Sequence, residues 1–264
     1  MSLSVVMICH NEEANLPRTL ASLAPLLAEP GNDLIVVDSG STDQTAEIAR
    51  AHGAKVYVEP WKGFAQQKNS ALDKASGDWI LSLDADEALE PALVAEINAT
   101  MRDPAALAGY WMPRRNVFMG RVIRHGVWGN DNQLRLFRRG VGRFGDRIVH
   151  EAVTIDGPLG TLHGALIHYT CPDIATLIAK FNRYSSLAAE MAVAKAPRRF
   201  SIFIVLVMPL ARFFKFYVLR LGFLDGREGF LLNLYFAFYV SLKYAKAWEL
   251  SRGLATPAER DAAR

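Results

Sequence analysis

The stretch that decides the fold is LSVVMICHNEEANLPRTLASL at residues 3–23, followed by LIVVD at residues 34–38. Each contains a short, β-branched apolar run that ends in polar residues, which is typical of a buried parallel strand. We therefore predict strands over residues 3–9 and 34–38. Between them, leucines three or four positions apart predict a helix over residues 14–27, because that spacing places them on one helical face.

The same alternation continues toward residue 100. Residues 54–58 and WILSL at residues 79–83 predict two further strands, with a helix over residues 64–75 between them. Ser41-Thr42-Asp43-Gln44 has the pattern of a capping box, and Pro91 can occupy the first turn of another helix. Strands that alternate with helices predict the α/β class, with a mostly parallel, doubly wound sheet flanked by helices.

Composition indicates a globular protein: of 264 residues, 51% are hydrophobic and 22% are charged. This length accommodates one α/β domain and an appendage. We also predict a strand over residues 108–113 and a helix over residues 177–194. Cys9 and Cys171 lie far apart in sequence, so we expect no disulfide framework and a reducing cytosol. The N-terminus lacks the basic start of a signal peptide, so we expect the catalytic part to stay inside the cell.

The net charge changes sign along the chain, from −4 over residues 1–194 to +7 over residues 195–252. Because the basic excess coincides with the most apolar part of the chain, an anionic membrane surface is the expected partner and a nucleic acid is not. We predict a catalytic domain over residues 1–194, a helical membrane-association region over residues 195–252 and a flexible tail over residues 253–264.

The uncharged runs of the membrane-association region, FSIFIVLVMPLA and GFLLNLYFAFYVSL, are 12 and 14 residues long. A helix needs about 17 to 25 residues to span a bilayer. On a helix turning ~100° per residue, Arg212, Lys215 and Arg220 fall within one arc of ~140°, which suits a helix lying in the membrane interface. A helix pair packed on the catalytic domain and a span or re-entrant hairpin are the alternatives.

Polar side chains follow the predicted strands, and open α/β sheets bind their ligands at those strand ends. Asn11 and Glu12 follow the first strand, Asp38 ends the second, and Asp84 and Asp86 follow the fourth. Alternate residues of an extended segment point the same way, so both aspartates can face one ion. Two carboxylates suit Mg²⁺ or Mn²⁺, with a substrate diphosphate completing the octahedron.

Together these motifs resemble the GT-A fold of family 2 inverting glycosyltransferases. The resemblance is carried by VVMICHNEEANLPRTLASL, LIVVDSGSTDQT, GFAQQKNSAL and GDWILSLDADE. It continues through FGDRIVHEAV and the basic aromatic C-terminus, where the chain is similar to bacterial lipopolysaccharide core β-1,4-glucosyltransferases. This implies transfer of a hexose, glucose from UDP-glucose, to a heptose of the lipopolysaccharide inner core, at the cytoplasmic face of the bacterial inner membrane.

The resemblance also implies roles for the first two strand ends. Asp38 accepts a hydrogen bond from the uracil imide, and Asn11 and Glu12 lie near the base or the ribose. The chemistry agrees, because a buried carboxylate needs a donor and uracil N3–H is one. From the residues alone, Asp38 could instead cap its own loop through Ser41 or Thr42.

Around the diphosphate, the resemblance places Lys68 near the phosphates, and Asp84 and Asp86 at the nucleotide ribose and the metal. Lys68 could instead be a surface residue of its helix. His163 and His168 could approach the metal, but a histidine among apolar residues is more often a core residue, and both stay unassigned.

An inverting transfer needs a base that takes the proton of the acceptor hydroxyl as C1 is attacked. Glu151 matches the place where relatives carry this base, and Asp146 is the reserve. Glu151 could instead pair with Arg147. The resemblance leaves His150 to orient the base or to touch the diphosphate.

Nine arginines lie between Arg114 and Arg147, in a block that is either a solvated face or a receptor for an anionic substrate. Within it, Gln133 and Arg135 are similar to the Gln/Arg motif of processive family 2 synthases. No Trp follows them, so processivity is not expected, and Arg135 is a candidate for substrate binding.

Three other functions compete with this interpretation. A nucleotidyltransferase would have a Gly-rich, Arg-containing phosphate loop after the first strand, where this chain has CHNEE. A polyprenyl-phosphate sugar synthase shares the donor chemistry and differs in its acceptor. A non-catalytic membrane-surface protein has no use for Asp38, Asp84, Asp86 and Glu151 together.

Overall fold

The structure is a computed structural model that describes residues 1–145, 153–195 and 201–252. Its residues group into two compact units. The first unit comprises residues 1–115 and 131–169, and the second comprises residues 116–130 and 170–264. The predicted membrane-association region falls within the second unit. The predicted tail, residues 253–264, lies outside the described residues.

Strands and helices alternate in the N-terminal half, as predicted. They are β1 (Leu3–Cys9), α1 (Leu16–Leu27), β2 (Asp33–Asp38), α2 (Thr45–Ala51), β3 (Lys55–Val58), α3 (Phe64–Asp73), β4 (Trp79–Asp84), β5 (Glu87–Leu89) and α4 (Pro91–Arg102). The later elements are β6 (Gly109–Phe118), β7 (Arg121–Ile123), β8 (Asn132–Arg138), β9 (Gly142–Phe144), β10 (Val153–Ile155), β11 (Leu159–Thr161), β12 (Leu166–Cys171), α5 (Ile174–Lys195), α6 (Met208–Phe213) and α7 (Gly226–Ser251).

The main sheet has the strand order β3-β2-β1-β4-β8-β6-β12-β5. Strands β3, β2, β1 and β4 are parallel, while β8 is antiparallel to both β4 and β6. The α/β class is therefore confirmed. The strand predicted over residues 108–113 exists, but it is longer and belongs to the antiparallel extension. A three-residue strand, β5, precedes it and pairs with the distant β12.

The predicted capping box before α2 is wrong. Ser41 donates its hydroxyl hydrogen to the carboxylate of Asp38, and Asp43 accepts the backbone N–H of Thr45 at 3.0 Å. A hydrogen bond to a carboxylate is stronger than one to a neutral acceptor, so the nearby charge of Asp38 draws the serine away from the helix start. The N-cap residue is Gln44, whose side chain makes no capping bond, and Asp43 before it accepts from the first residue of α2.

Apolar side chains cover both faces of the parallel strands. On β1, Val5 and Met7 belong to one buried cluster, whereas Val6 belongs to a second cluster on the other face. The first cluster includes the leucines of α1, and the second includes residues of α3 such as Ala71. Burial on both faces explains why these strands are continuous apolar runs, and it leaves their polar ends as the accessible part of the sheet.

In the second unit, α5 packs against α7, with Phe181 and Tyr239 in ring contact at 5.3 Å between centroids. The chain is helical on both sides of α6, in wide π-helical turns at Phe203–Val207 and Phe214–Leu219. Many large apolar side chains of this region face outward. Leu210 and Leu219 are 69% and 67% exposed, next to the exposed Arg212, Lys215 and Arg220. This arrangement departs from a buried helix pair.

Among the helices that the structure describes, none combines the length and apolar character needed to cross a bilayer.

Candidate functional site

Three polar strand ends meet at one edge of the sheet in the first unit. Cys9, the last residue of β1, is in register with Asp38 of β2, and Ile8 is in register with Asp84 of β4. Because the strands are parallel, their carboxyl ends lie side by side. The register therefore places the polar strand ends next to one another, and their binding of one ligand stays a prediction.

The loops after β1 and β2 are tied together by hydrogen bonds. Asn11 adopts a left-handed conformation with φ 55°, which asparagine tolerates better than most residues. Its backbone N–H donates to the Ser41 hydroxyl at 2.9 Å, and its side-chain oxygen accepts the Thr42 N–H at 2.8 Å. The Glu12 N–H donates to the Thr45 hydroxyl at 2.7 Å. Asn11 and Glu12 thus lie beside the Asp38 loop.

Asp38 is 2% exposed and holds its own loop. Its Oδ2 accepts the N–H groups of Gly40 at 3.1 Å and Ser41 at 2.9 Å, and its Oδ1 accepts the Ser41 hydroxyl. The loop-capping role considered for this residue is therefore present. A carboxylate offers about four acceptor positions, so these bonds fix its orientation and leave room for one more donor. Its contact with uracil stays a prediction.

Asp84 lies between two buried cations. Lys68 Nζ of α3 is 2.8 Å from Asp84 Oδ1, and Arg135 Nη2 of β8 is 2.6 Å from Asp84 Oδ2. Burial opposes the charge of Asp84, but Arg135 and Lys68 outweigh it and hold its pKa well below the usual range. Lys68 is 9% exposed, so it is not a surface residue of its helix.

A second buried carboxylate, Glu87, completes this cluster and was not predicted. Its side chain is fully buried, and its Oε1 accepts from Arg135 at 2.8 Å and from Arg114 at 3.0 Å. Arg114 also donates to Asp131 at 2.8 Å. We call Lys68, Asp84, Arg135, Glu87, Arg114 and Asp131 the charge chain. Glu87 could have been considered from the sequence, because it directly follows Asp86, but only the two aspartates were predicted to bind a ligand.

Asp86 has different neighbours from Asp84. Its Oδ2 lies 3.2 Å from Nε2 of His168 on β12. Within the described part of the chain, no group of three or more His, Cys, Asp or Glu side chains is placed to hold a metal ion. Protein sites for Mg²⁺ usually supply one or two carboxylates and leave the other positions to substrate phosphates and water. Asp86 with His168 fits such a site, whereas the oxygens of Asp84 face Lys68 and Arg135.

Comparison with known proteins identifies the family. Residues 4–156, more than half of the chain, match the family described as glycosyl transferase family 2. The chain belongs to this family. It is therefore a glycosyltransferase, and its mixed sheet with a parallel half has the GT-A architecture that the motifs led us to expect.

Relatives of this family 2 glycosyltransferase match it over most of their length. It is 32% identical to the lipopolysaccharide core biosynthesis glycosyltransferase LpsC of Rhizobium meliloti, over 99% of this chain and 97% of the relative. It is 33% identical to an uncharacterized glycosyltransferase of Rickettsia typhi, over 94% of this chain and 87% of the relative. Among solved structures, S. aureus TarS 1–349 is similar at a TM-score of 0.48 and 16% identity, over 96% of this chain and 92% of that one.

The proposed base of this glycosyltransferase lies outside the described residues, as do Asp146 and His150. The strands on either side of that segment are described. Phe144 of β9 is in register with Val153 of β10, and the Phe144 ring lies 5.3 Å from Lys68 Nζ. The Phe144 side chain therefore lies beside the charge chain.

The arginine block of this glycosyltransferase is not one free basic face. Eight of its nine arginines lie in the described part of the chain, and the structure shows a side-chain partner for seven of these. Arg138 lies over the Trp79 ring and donates to Ala106, Arg139 donates to Gly77, and Arg143 pairs with Asp73. Arg115 and Arg121 pair with Glu90 and Glu228, while Arg114 and Arg135 belong to the charge chain. Most of the block therefore serves the fold, and Arg135 serves the strand-edge site.

Proposed function

We propose that this family 2 glycosyltransferase transfers a hexose, glucose from UDP-glucose, to a heptose of the lipopolysaccharide inner core. One observation carries the proposal: Asp38, Lys68 and Asp84 lie at one strand edge in a chain that is 32% identical to a lipopolysaccharide core glycosyltransferase over 99% of its length. Open α/β sheets bind their ligands at the carboxyl ends of their parallel strands, where these three residues lie.

The donor nucleotide binds across the three strand ends. Asp38, oriented by its own loop, accepts the uracil N3–H, and Asn11 and Glu12 contact the base or the ribose. Lys68 provides a positive charge for the diphosphate, and Arg135 keeps Asp84 ionised and in place beside it. Neutralising the diphosphate stabilises the leaving group, because negative charge builds on it as the bond to the sugar breaks.

A divalent cation, Mg²⁺ or Mn²⁺, is the proposed cofactor. Asp86 and His168 would hold it, and Asp84 lies two residues before Asp86 in the sequence. When bound, the ion would supply positive charge that stabilises the departing diphosphate. Both proposed ligands are partly buried, with side chains 21% and 15% exposed, which limits competition from water.

The acceptor reacts at the anomeric carbon. As the acceptor hydroxyl oxygen attacks C1, its proton passes to Glu151, and the bond from C1 to the diphosphate oxygen breaks to release UDP with inversion. Asp146 is the alternative base, and His150 orients the base or contacts the diphosphate. This role for Glu151 is supported by its position in the family.

The acceptor is lipid-linked and anionic, so the enzyme works at the cytoplasmic face of the inner membrane. The exposed apolar side chains of residues 202–238, with Arg212, Lys215 and Arg220 among them, support peripheral binding to that surface. The same surface also suits a polyprenyl-phosphate acceptor, which makes a polyprenyl-phosphate sugar synthase the second candidate. Mass analysis of the products from inner-core and polyprenyl-phosphate acceptors separates the two functions.

Calorimetric titration tests the donor site. Wild-type protein should bind UDP and UDP-glucose more tightly with Mn²⁺ than without it, and Asp86→Ala should abolish the difference. Asp103→Ala, which removes an exposed carboxylate at the end of α4, is the matched control and should bind like wild type. Binding of UDP that is indifferent to both the metal and Asp86 would contradict the proposed cofactor site.

A further inference from the structure

The charge chain of the donor site is balanced without any ligand. Its three cations are Lys68, Arg114 and Arg135, and its three anions are Asp84, Glu87 and Asp131. Each oxygen of Asp84 already has a cation within 2.8 Å. A divalent cation arriving alone at Asp84 would therefore meet two positive charges before it met a free carboxylate oxygen.

The two cations that hold Asp84 differ in how firmly they are held. Arg135 Nη2 also bonds Glu87 at 2.8 Å, so the planar guanidinium is fixed between two carboxylates. Lys68 is an ammonium on a flexible stem, and Asp84 is the carboxylate it pairs with among the described residues. Lys68 is therefore the cation that can leave Asp84 at lower cost.

We propose that Lys68 occupies Asp84 while the site is empty and exchanges it for the diphosphate when the donor nucleotide binds. This inference rests on the proposed donor site. The diphosphate provides the negative charge that Lys68 needs, and the released Asp84 oxygen becomes available to a cation. Metal and nucleotide then bind with positive coupling, because each favours the state in which Lys68 has left Asp84.

Two titrations of Lys68→Met, one with Mn²⁺ alone and one with UDP alone, test this exchange, because the two affinities should change in opposite directions. Mn²⁺ alone should bind Lys68→Met about tenfold more tightly than it binds wild type, which is a usual size for coupling between two ligands. Water proton relaxation enhancement measures this affinity. UDP alone should bind the same variant more weakly than it binds wild type, measured by calorimetry. Lys74→Met is the matched control, because Lys74 follows the same helix and pairs with Glu59 at 2.6 Å. It should leave both affinities unchanged.

A purely structural role for Lys68 would weaken both ligands in Lys68→Met, and that result would overturn the exchange. So would Mn²⁺ affinity in Lys68→Met equal to that of wild type. Lys68→Gln, which keeps a hydrogen-bond donor near Asp84, should show the same two signs and replaces Lys68→Met if that variant does not fold. If wild type binds no Mn²⁺ even with UDP, both the proposed cofactor site and the exchange are overturned. If wild type binds Mn²⁺ with UDP but Lys68→Met does not show the two opposite changes, only the exchange is overturned.

Discussion

The strand edge of the first unit and the helices of the second unit depart from ordinary burial in opposite directions. At the strand edge, charged side chains lie inside the protein, with Glu87 fully buried and Lys68 9% exposed. In the second unit, large apolar side chains lie outside, with Leu210 69% exposed beside Arg212. Most soluble proteins keep charges outside and large apolar groups inside.

The two regions differ in what offsets the cost of a buried charge or of an exposed apolar side chain. A buried charge is costly unless it is paired, and every charge in the chain from Lys68 to Asp131 has its partner within the first unit. A contiguous exposed apolar surface rimmed by charge is the mark of an interaction site. The charges at the strand ends are therefore paired before a ligand arrives, whereas the exposed apolar side chains of the second unit are the surface for which we propose a membrane partner.

The largest effect should come from the proposed base, Glu151. Glu151→Gln should lower kcat by about 10² to 10⁴-fold, the usual contribution of a positioned general base. UDP affinity should stay at the wild-type value, because the base acts on the acceptor. Measurement of kcat and of UDP binding by calorimetry checks both parts. A variant with wild-type kcat would move the role to Asp146, which Asp146→Asn tests in the same assay.

The sequence predicts the parallel half of the fold well because its signals are local. Strand β1 has the predicted bounds, and β4 begins at the predicted residue, since apolar runs and the polar residues that end them are read within a few positions. The antiparallel half depends on pairing between distant segments, such as β5 with β12, and three residues of β5 carry no periodic signal. In that half, the strand over residues 108–113 was predicted and its antiparallel pairing was not.

The next largest effect should be on stability at the charge chain. Asp84→Asn removes the anion between Lys68 and Arg135, and breaking a buried pair typically costs about 3 to 5 kcal/mol. Because the Asp84 side chain is 30% exposed, we expect about 3 kcal/mol, near the lower end of that range. Urea unfolding measures the loss, and Asp103→Asn should stay within about 0.5 kcal/mol of wild type. A loss below about 1 kcal/mol would show that the pair behaves as a surface pair.

The same distinction between local and distant contacts decides which parts of the site could be predicted from the sequence. Asn11, Asp38 and Asp84 could be placed together because the topology brings the strand ends to one edge. The pairing of Arg114 and Arg135 with Glu87 could not be read, because the choice of partner depends on contacts between β5, β6 and β8. In sequence, the arginines form a charge run, and a charge run looks the same whether it is solvated or buried.

A smaller effect per residue is expected at the helical surface. Alanine at Arg212, Lys215 or Arg220 should weaken binding to vesicles rich in anionic lipid by about 1 kcal/mol each, or about fivefold. Flotation of the protein with such vesicles measures the partition. Arg50→Ala, at an exposed pair on α2, is the control and should partition like wild type. If the triple alanine variant partitions like wild type, the electrostatic part of membrane binding is wrong.

The smallest effect tests whether the burial of the partner cations, and not the number of partners, sets how much the charge chain stabilises the fold. Among the described residues, the Glu59 carboxylate has three side-chain partners and that of Asp84 has two. The bonds of Glu59 to Lys62, Lys74 and Ser70 lower its pKa from 4.5 to about 2. The Glu59 side chain is 18% exposed, less than that of Asp84, but its cations Lys62 and Lys74 are 41% and 21% exposed, whereas the cations of Asp84 are 11% and 5% exposed. A lowered pKa stabilises the fold above the unfolded value and loses that stabilisation as pH falls toward the folded value. Wild type should therefore exceed Glu59→Gln by at most about 1 kcal/mol near neutral pH, and the difference should vanish between pH 4.5 and about 2. Urea unfolding across that range measures it. A loss as large as that of Asp84→Asn would mean that partner number alone sets the strength of both clusters.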